Sequence, residues 1–290
     1  MSEQIKRYET VSILGLGLIG GAVGIRALQT GAAGAVRALV RRPEVIDLAY
    51  QLRAADIATL DPKEAVSGAD LVIVCASVSA IPNLLKSVLP HLEKGCVVTD
   101  VGSTKKVLLD RCAEVLKDRP DVELIGSHPI SGTEKQGLAY APAVVLPNHL
   151  CVIVPTANST DGSVQRLAAF WRTLGMTIKT MDAVSHDKAL ALASHAPHYV
   201  ASALMAIQTD ESMFMSAGGL RDSTRVAESD PALWTEIAME NGAAVSRSLR
   251  ALADELQQAA NWIDTRDSTA FHNWFRANHD KRVNAGIRHK

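Results

Sequence analysis

The first part of the chain alternates short, β-branched apolar runs with longer stretches whose apolar positions recur every three or four residues. Residues 11–14, 36–40, 71–75, 96–100, 124–126, 150–154 and 176–180 have the length and content of buried strands. Residues 20–30, 80–92, 105–116 and 163–174 carry the helical spacing between them. This alternation predicts a mostly parallel sheet with helices on both faces. From about residue 183 the strands vanish. Residues 186–207 read as a helix that Pro197 must kink or interrupt, because proline has no N–H to donate. Pro231 suits a first helical turn, and the long helix expected from it carries Leu233, Ile237, Val245, Leu249, Leu252, Leu256 and Ile263 as one apolar stripe. A small helical region offers such a stripe few partners of its own. The expectation is a second copy of the chain, packed as a symmetric dimer.

Composition narrows the class. The 290 residues suit two domains, and 47% hydrophobic with 21% charged residues is enough apolar material for full cores. Basic and acidic residues number 30 and 31, a net charge of -1, without the basic excess of a nucleic-acid binder. Cys75, Cys96, Cys112 and Cys151 lack CxxC spacing and lie in apolar contexts, so they read as reduced core thiols, and no metal site is expected. The polar first ten residues lack a signal-peptide core, and no run of 18 apolar residues exists. No membrane association is expected, and a cytoplasmic setting follows.

Residues 15–20, Gly-Leu-Gly-Leu-Ile-Gly, form GxGxxG between a strand and a helix, the context that gives this otherwise weak motif meaning. Gly15 permits the tight turn, Gly17 lets backbone approach a pyrophosphate, and Gly20 lets helix and strand pack closely. The anion would rest on the helix N-terminus, against Leu18 and Ile19. Ser77, just past the strand at 71–75, is grouped with these cofactor contacts. The usual acidic residue at the end of the second strand is replaced by Val40, followed by Arg41 and Arg42. A guanidinium accepts a 2′-phosphate that a carboxylate would repel, so NADP is expected to be preferred, with NAD possible. The predicted fold is an α/β Rossmann-type nucleotide-binding domain, residues 1–182, followed by an all-α domain for substrate binding and dimerisation, residues 183–290.

Candidate chemistry lies in four segments. Ser127-His128-Pro129-Ile130-Ser131-Gly132-Thr133-Glu134 follows a strand, and strand C-termini face the ligand crevice in such sheets. A histidine there can act as a general base near neutral pH. Asp100 to Lys105 ends an earlier strand, where Ser103 can also cap the helix beginning near Lys105. Lys105 and Lys135 read as solvated or phosphate-facing, without chemistry. Ser194-His195-Ala196-Pro197-His198 interrupts the later helix, and Gly218 to Arg225 precedes Ser229-Asp230-Pro231 and Trp234.

Together, GSHPISGTEKQG, SHAPH and GGLRDSTRVAESDP resemble the prephenate dehydrogenase family, also called cyclohexadienyl or arogenate dehydrogenases, over nearly the whole chain. The resemblance implies oxidative decarboxylation of prephenate to 4-hydroxyphenylpyruvate, or of arogenate to tyrosine, with hydride transfer to NAD(P). It implies that His128 hydrogen-bonds the ring hydroxyl and that Ser103 orients it and the nicotinamide. It assigns substrate binding to His198 and Ser194, a carboxylate anchor to Arg225, and an entrance role to Glu134. Asp222 and Gly219 build the same pocket, and His195 is expected to be structural. The departure at Val40, where many members are acidic, bears on the cofactor and not on the reaction. Two rivals remain. One is a two-domain hydroxyacid dehydrogenase, whose catalytic lysine only Lys188 could supply. The other is a non-catalytic dinucleotide sensor, which has no need of the histidines, Ser103 and Arg225 together.

Overall fold

The computed structural model describes residues 6–131 and 135–286 and divides into two compact units, Met1–Gly242 and Ala243–Lys290. In the first unit, strands β1 (Tyr8–Leu14), β2 (Ala33–Leu39), β3 (Ile57–Thr59), β4 (Leu71–Val74), β5 (Val97–Asp100), β6 (Glu123–Pro129), β7 (Leu150–Pro155) and β8 (Thr177–Thr180) form one sheet ordered β3-β2-β1-β4-β5-β6-β7-β8. Helices α1 (Leu18–Thr30), α2 (Glu44–Gln51), α3 (Pro62–Val66), α4 (Ile81–Val88), α5 (Lys106–Val115) and α6 (Asp161–Thr173) connect the strands. The expected parallel sheet is present, with one exception: β6 and β7 pair antiparallel. The periodicity did not indicate β3, α2 or α3, since three to eight residues are too few to carry a clear period.

Strand alternation separates two apolar layers. Ile13 and Ile73 face one with Val23, Phe170 and Trp171, while Leu14, Val72 and Val74 face the other with Leu85, Leu108 and Leu124. The sheet is therefore covered on both sides, as its continuous apolar runs require. Strand order turns at β1, which lies between β2 and β4, and this is where such sheets open a crevice at their carboxyl ends. Cys96, Cys112 and Cys151 are buried and Cys75 half-buried, and all four are unpaired. Burial pushes the Cys96 and Cys112 thiols up to about 12.

After β8 the unit is helical: α7 (Ala183–Leu190), α8 (Ala196–Ala206), α9 (Asp210–Phe214), α10 (Gly218–Thr224) and α11 (Pro231–Glu240). Pro197 does not break the run. A widened π turn, Ala191–His195, joins α7 to α8 and relieves the contact between the proline ring and the preceding turn. The long helix expected from Pro231 is in fact divided. Asn241 leaves helical geometry at φ −112° and ψ 30°, its side chain bonded to the Asp187 carbonyl at 2.8 Å. A second helix, α12 (Gly242–Asp264), follows, and then α13 (Ser268–Asn284).

In the second unit, Asp267 caps α13 through the Ala270 N–H, and Trp274 packs on Trp262 and Phe271 while its Nε1–H donates to Glu255. Leu256, Ile263, Phe275 and Val283 stand exposed on these two helices. Among the described residues, no helix is long and apolar enough to cross a membrane.

Candidate active site

Strands β1, β4, β5 and β6 run parallel, in registers that pair Leu14 with Val74 and Val74 with Asp100. Their carboxyl ends therefore deliver the loops beginning at Gly15, Cys75, Val101 and Ile130 to one edge. The glycine loop fits a dinucleotide. Gly15 has φ +104°, and a Cβ there would stand 2.4 Å from the Cys75 carbonyl oxygen. A Cβ on Gly20 would stand 2.1 Å from the Gly15 oxygen, whereas one on Gly17 meets nothing within 4 Å. The two tight glycines set the turn and the open one leaves room for a phosphate. No side chain caps α1 and no acidic residue stands in its first turn, so its unpaired N–H groups favour an anion. The Gly15 N–H bonds the Leu39 carbonyl, which brings the end of β2 beside the loop. Val40 is buried there, and Arg41 and Arg42 are exposed, their side chains making no hydrogen bond or ion pair among the described residues.

The strand that carries His128 outruns its parallel neighbour. β5 pairs with β6 only as far as Ile125, and antiparallel β7 continues the pairing through Ser127, His128 and Pro129. Alternation then sends the two side chains to opposite faces. Ser127 Oγ accepts from Thr99 Oγ1–H at 2.8 Å and from Trp171 Nε1–H at 3.1 Å. His128, 8% exposed, places Nδ1 2.9 Å from His186 Nε2, and His186 Nδ1 lies 2.8 Å from Asp187 Oδ1. Asp187 also accepts the backbone N–H of Lys105 at 2.8 Å and of Lys106 at 2.9 Å. It therefore caps α5, and Ser103 does not.

Lys105 is not solvated. Its side chain is fully buried, and Nζ donates to Asp100 Oδ2 at 2.7 Å, the Gly102 carbonyl at 2.6 Å and the Thr104 carbonyl at 3.1 Å. Gly126 in β6 makes room for the lysine stem, since a Cβ there would sit 3.1 Å from Lys105 Cδ. Burial first, then the Lys105 charge, then His186 and His195, hold the His128 imidazole well below the ordinary histidine range. It is therefore neutral near pH 7. Burial acts to raise the Asp187 carboxyl, but the His186 hydrogen bond and the two backbone N–H groups hold it low and ionised.

The helical part adds a second cluster. His198 Nδ1 donates to the Ser194 carbonyl at 2.9 Å, and its ring stacks on Trp234 with centroids 3.5 Å apart. Tyr199 Oη donates to the Trp234 carbonyl, and its ring meets the indole edge-on with centroids 5.9 Å apart. A cleft of about 300 Å³ opens here, lined by His198, Tyr199, Val226, Ser229, Trp234 and Met239. Burial and then Arg225 lower the His198 pKa, against the Ser194 hydrogen bond. Arg225 is exposed, with neither Asp222 nor Asp230 as an ion-pair partner among the described residues. Gly219 and Asp222 lie on α10 just before it, and a Cβ on Gly219 meets nothing within 4 Å. His195 is buried against Asn241 at 3.3 Å and Trp234. Ser103 and Ser77 follow β5 and β4 at the crevice edge, half-buried and exposed. Glu134 lies outside the described residues. Sequence reasoning missed His186, Asp187 and Asn241. The only trace of them was a His-Asp pair opening an otherwise apolar helix.

A glycine loop at the switch point, a neutral buried histidine at the end of β6 on the same sheet edge and a following helical region define a nicotinamide-dinucleotide-dependent dehydrogenase. Two family models match the chain: "Prephenate dehydrogenase, nucleotide-binding domain" over residues 26–180 and "Prephenate dehydrogenase, dimerization domain" over residues 182–277. The cyclohexadienyl dehydrogenase of Zymomonas mobilis is 32% identical over 268 residues, 90% of each chain. A crystal structure of prephenate dehydrogenase from A. aeolicus with hydroxyphenyl propionate and NAD+ is 26% identical at a TM-score of 0.87, covering 97% of this chain and 100% of that one. A crystal structure of Synechocystis arogenate dehydrogenase is 25% identical at a TM-score of 0.83, covering 95% and 99%. The chain belongs to the prephenate dehydrogenase family. The nucleotide-binding match begins past the glycine loop, so the loop's assignment rests on its own geometry.

Two outcomes follow for stability. Lys105→Met leaves the Asp100 carboxylate buried without its cation and is expected to cost about 3–5 kcal/mol in urea unfolding; a loss below about 1 kcal/mol would contradict the buried pair. Burial lowers His195 from 6.5 to about 4, so between those values the unfolded chain binds a proton that the native one does not. Stability should fall as pH drops from about 6.5 towards 4, and His195→Gln should make that fall shallower. An unchanged slope in pH-dependent melting would show that His195 is not buried in its neutral form.

Proposed function

We propose that this chain oxidatively decarboxylates a cyclohexadienyl acid, prephenate or arogenate, with NADP as the preferred cofactor. One observation carries the reading: a buried, neutral imidazole stands at the end of β6, two strands from the glycine loop strand's neighbour β4, on the edge where a dinucleotide is bound. Low basicity keeps His128 deprotonated and ready to accept the proton of the ring hydroxyl. Arg225, exposed and without an ion partner among the described residues, offers its guanidinium to a substrate carboxylate. His198, with Nδ1 committed to Ser194, offers Nε2 to the substrate and a flat face to Trp234. Ser103, at the end of β5, orients the reacting groups, and Ser194, Asp222 and Gly219 shape the pocket.

A bound nicotinamide supplies the hydride acceptor. The residues of Gly15, Gly17, Leu18, Ile19 and Gly20 hold the pyrophosphate by backbone, and Ser77 borders it. Arg41 and Arg42, whose side chains have no ion pair among the described residues, recruit a 2′-phosphate beside β2. The family match to a dimerisation domain and the exposed Leu256, Ile263 and Phe275 support a homodimer built on the helical domain, residues 183–290. Loss of carbon dioxide makes the ring aromatic and drives the reaction, so the protein's task is geometry and charge.

A kinetic comparison of prephenate and arogenate, each with NAD and NADP, tests the assignment. Turnover of at least one acid is expected, with the higher kcat/KM for NADP. Arg41→Ala with Arg42→Ala should remove that advantage and leave NAD use intact; a preference that survives would refute the phosphate role. His128→Asn should lower kcat by about 10²–10⁴, whereas Arg225→Ala should mainly raise KM. Unchanged turnover in the first, or an unchanged KM in the second, would reject those roles.

A further inference from the structure

Two buried groups, His186 and Asp187, stand in line behind the proposed base, and their hydrogen bonds bear on its protonation pattern. Asp187 is ionised and can only accept. The His186 Nδ1, 2.8 Å away, must therefore carry a proton and donate it. With Nδ1 carrying the one ring proton, His186 has a lone pair on Nε2, and that atom faces His128 Nδ1 at 2.9 Å. Two lone pairs cannot meet there, so the proton of this bond belongs to His128 Nδ1. The remaining nitrogen, Nε2, pairs with no group among the described residues.

We propose that Asp187 and His186 act as positioning residues that hold His128 in its Nδ1–H tautomer, so that Nε2 presents a lone pair to the substrate hydroxyl. The proposal rests on the reading of His128 as the base. In the step it serves, the substrate O–H bond breaks, its electron pair stays on oxygen, and the proton forms an N–H bond at Nε2. The resulting imidazolium keeps its Nδ1–H donated to His186, with the Asp187 carboxylate one ring further back.

The surroundings explain why a relay is needed. The groups facing His128 are Lys105 from the loop before α5, His186 from α7 and His195 from the π turn, with Asp100 behind Lys105 and Asp187 behind His186. Among the groups in direct reach, the Lys105 cation opposes a positive imidazolium. Asp187 is the anion aligned with the ring's own hydrogen bond. Its position is over-determined, since the N–H groups of Lys105 and Lys106 hold both of its oxygens. A carboxylate clamped to the start of α5 gives His186 little freedom to turn.

Histidine-selective ¹⁵N labelling of the full chain, read by two-bond ¹H–¹⁵N correlation, reports which nitrogen of His128 carries the proton. The expected result is protonation at Nδ1 in the wild type. His186→Gln keeps the direction of both bonds, because its amide oxygen accepts from His128 and its N–H donates to Asp187. It should retain the tautomer and keep kcat within about tenfold of wild type. His186→Leu should release His128 into a tautomer mixture and lower kcat by about 10² or more, with KM little changed. A merely structural histidine would instead shift the melting temperature in both variants and leave the tautomer alone. His128 protonated at Nε2 in the wild type, or equal kcat losses in the two variants, would overturn the proposal. A chain that turned over neither acid would defeat the substrate reading while leaving the tautomer measurable, so the two fail separately.

Discussion

The carboxylate of Asp187 is the joint on which the site depends. It receives the first N–H groups of α5 and the ring N–H of His186, and so ties the loop after β5 to the start of the helical region. A charge buried to this extent is tolerated only when several donors converge on it. Here the helix N-terminus supplies two of them and adds its dipole. Asn241 holds the carbonyl of the same residue, so both its backbone and its side chain are fixed. Without this joint, three donors in the interior would be orphaned at once.

The antiparallel β7 has a function that the parallel strands cannot supply. β5 ends too early to support the strand beside it, and a parallel partner continuing past Asp100 would close the crevice. By pairing with Ser127, His128 and Pro129, β7 carries β6 beyond its neighbour while leaving the edge open. The pleat does the rest. Ser127 turns into the core, where Thr99 and Trp171 satisfy its hydroxyl, and His128 turns to the opposite face.

Charge in the site is arranged with equal economy. Lys105 is a buried cation saturated by Asp100 and two carbonyls, so it stays fixed in place and depresses the basicity of the neighbouring imidazole. The glycine loop offers an anion the backbone N–H groups of α1, which no side chain caps. Arg41 and Arg42, after β2, are exposed and neither joins an ion pair among the described residues.

The sequence by itself determined the alternating strands and helices, the glycine loop, the strand-end histidine and the change to helices near residue 183. Each of these is local: a period, a turn requirement, or a motif within one segment. It also pointed to His198 and Arg225 as candidates, through short motifs that resemble a known family. What it could not show was set by contacts between distant segments. Lys105 looks like any solvated lysine until Asp100 and the space above Gly126 enclose it. His186 and Asp187 look like a polar helix start until β6 and α5 are packed against them. The apolar stripe beyond Pro231 looks continuous until Asn241 is drawn out of the helix by a carbonyl from α7. Pattern records what each segment prefers, whereas burial and hydrogen-bond partners exist only once segments far apart in the chain have met.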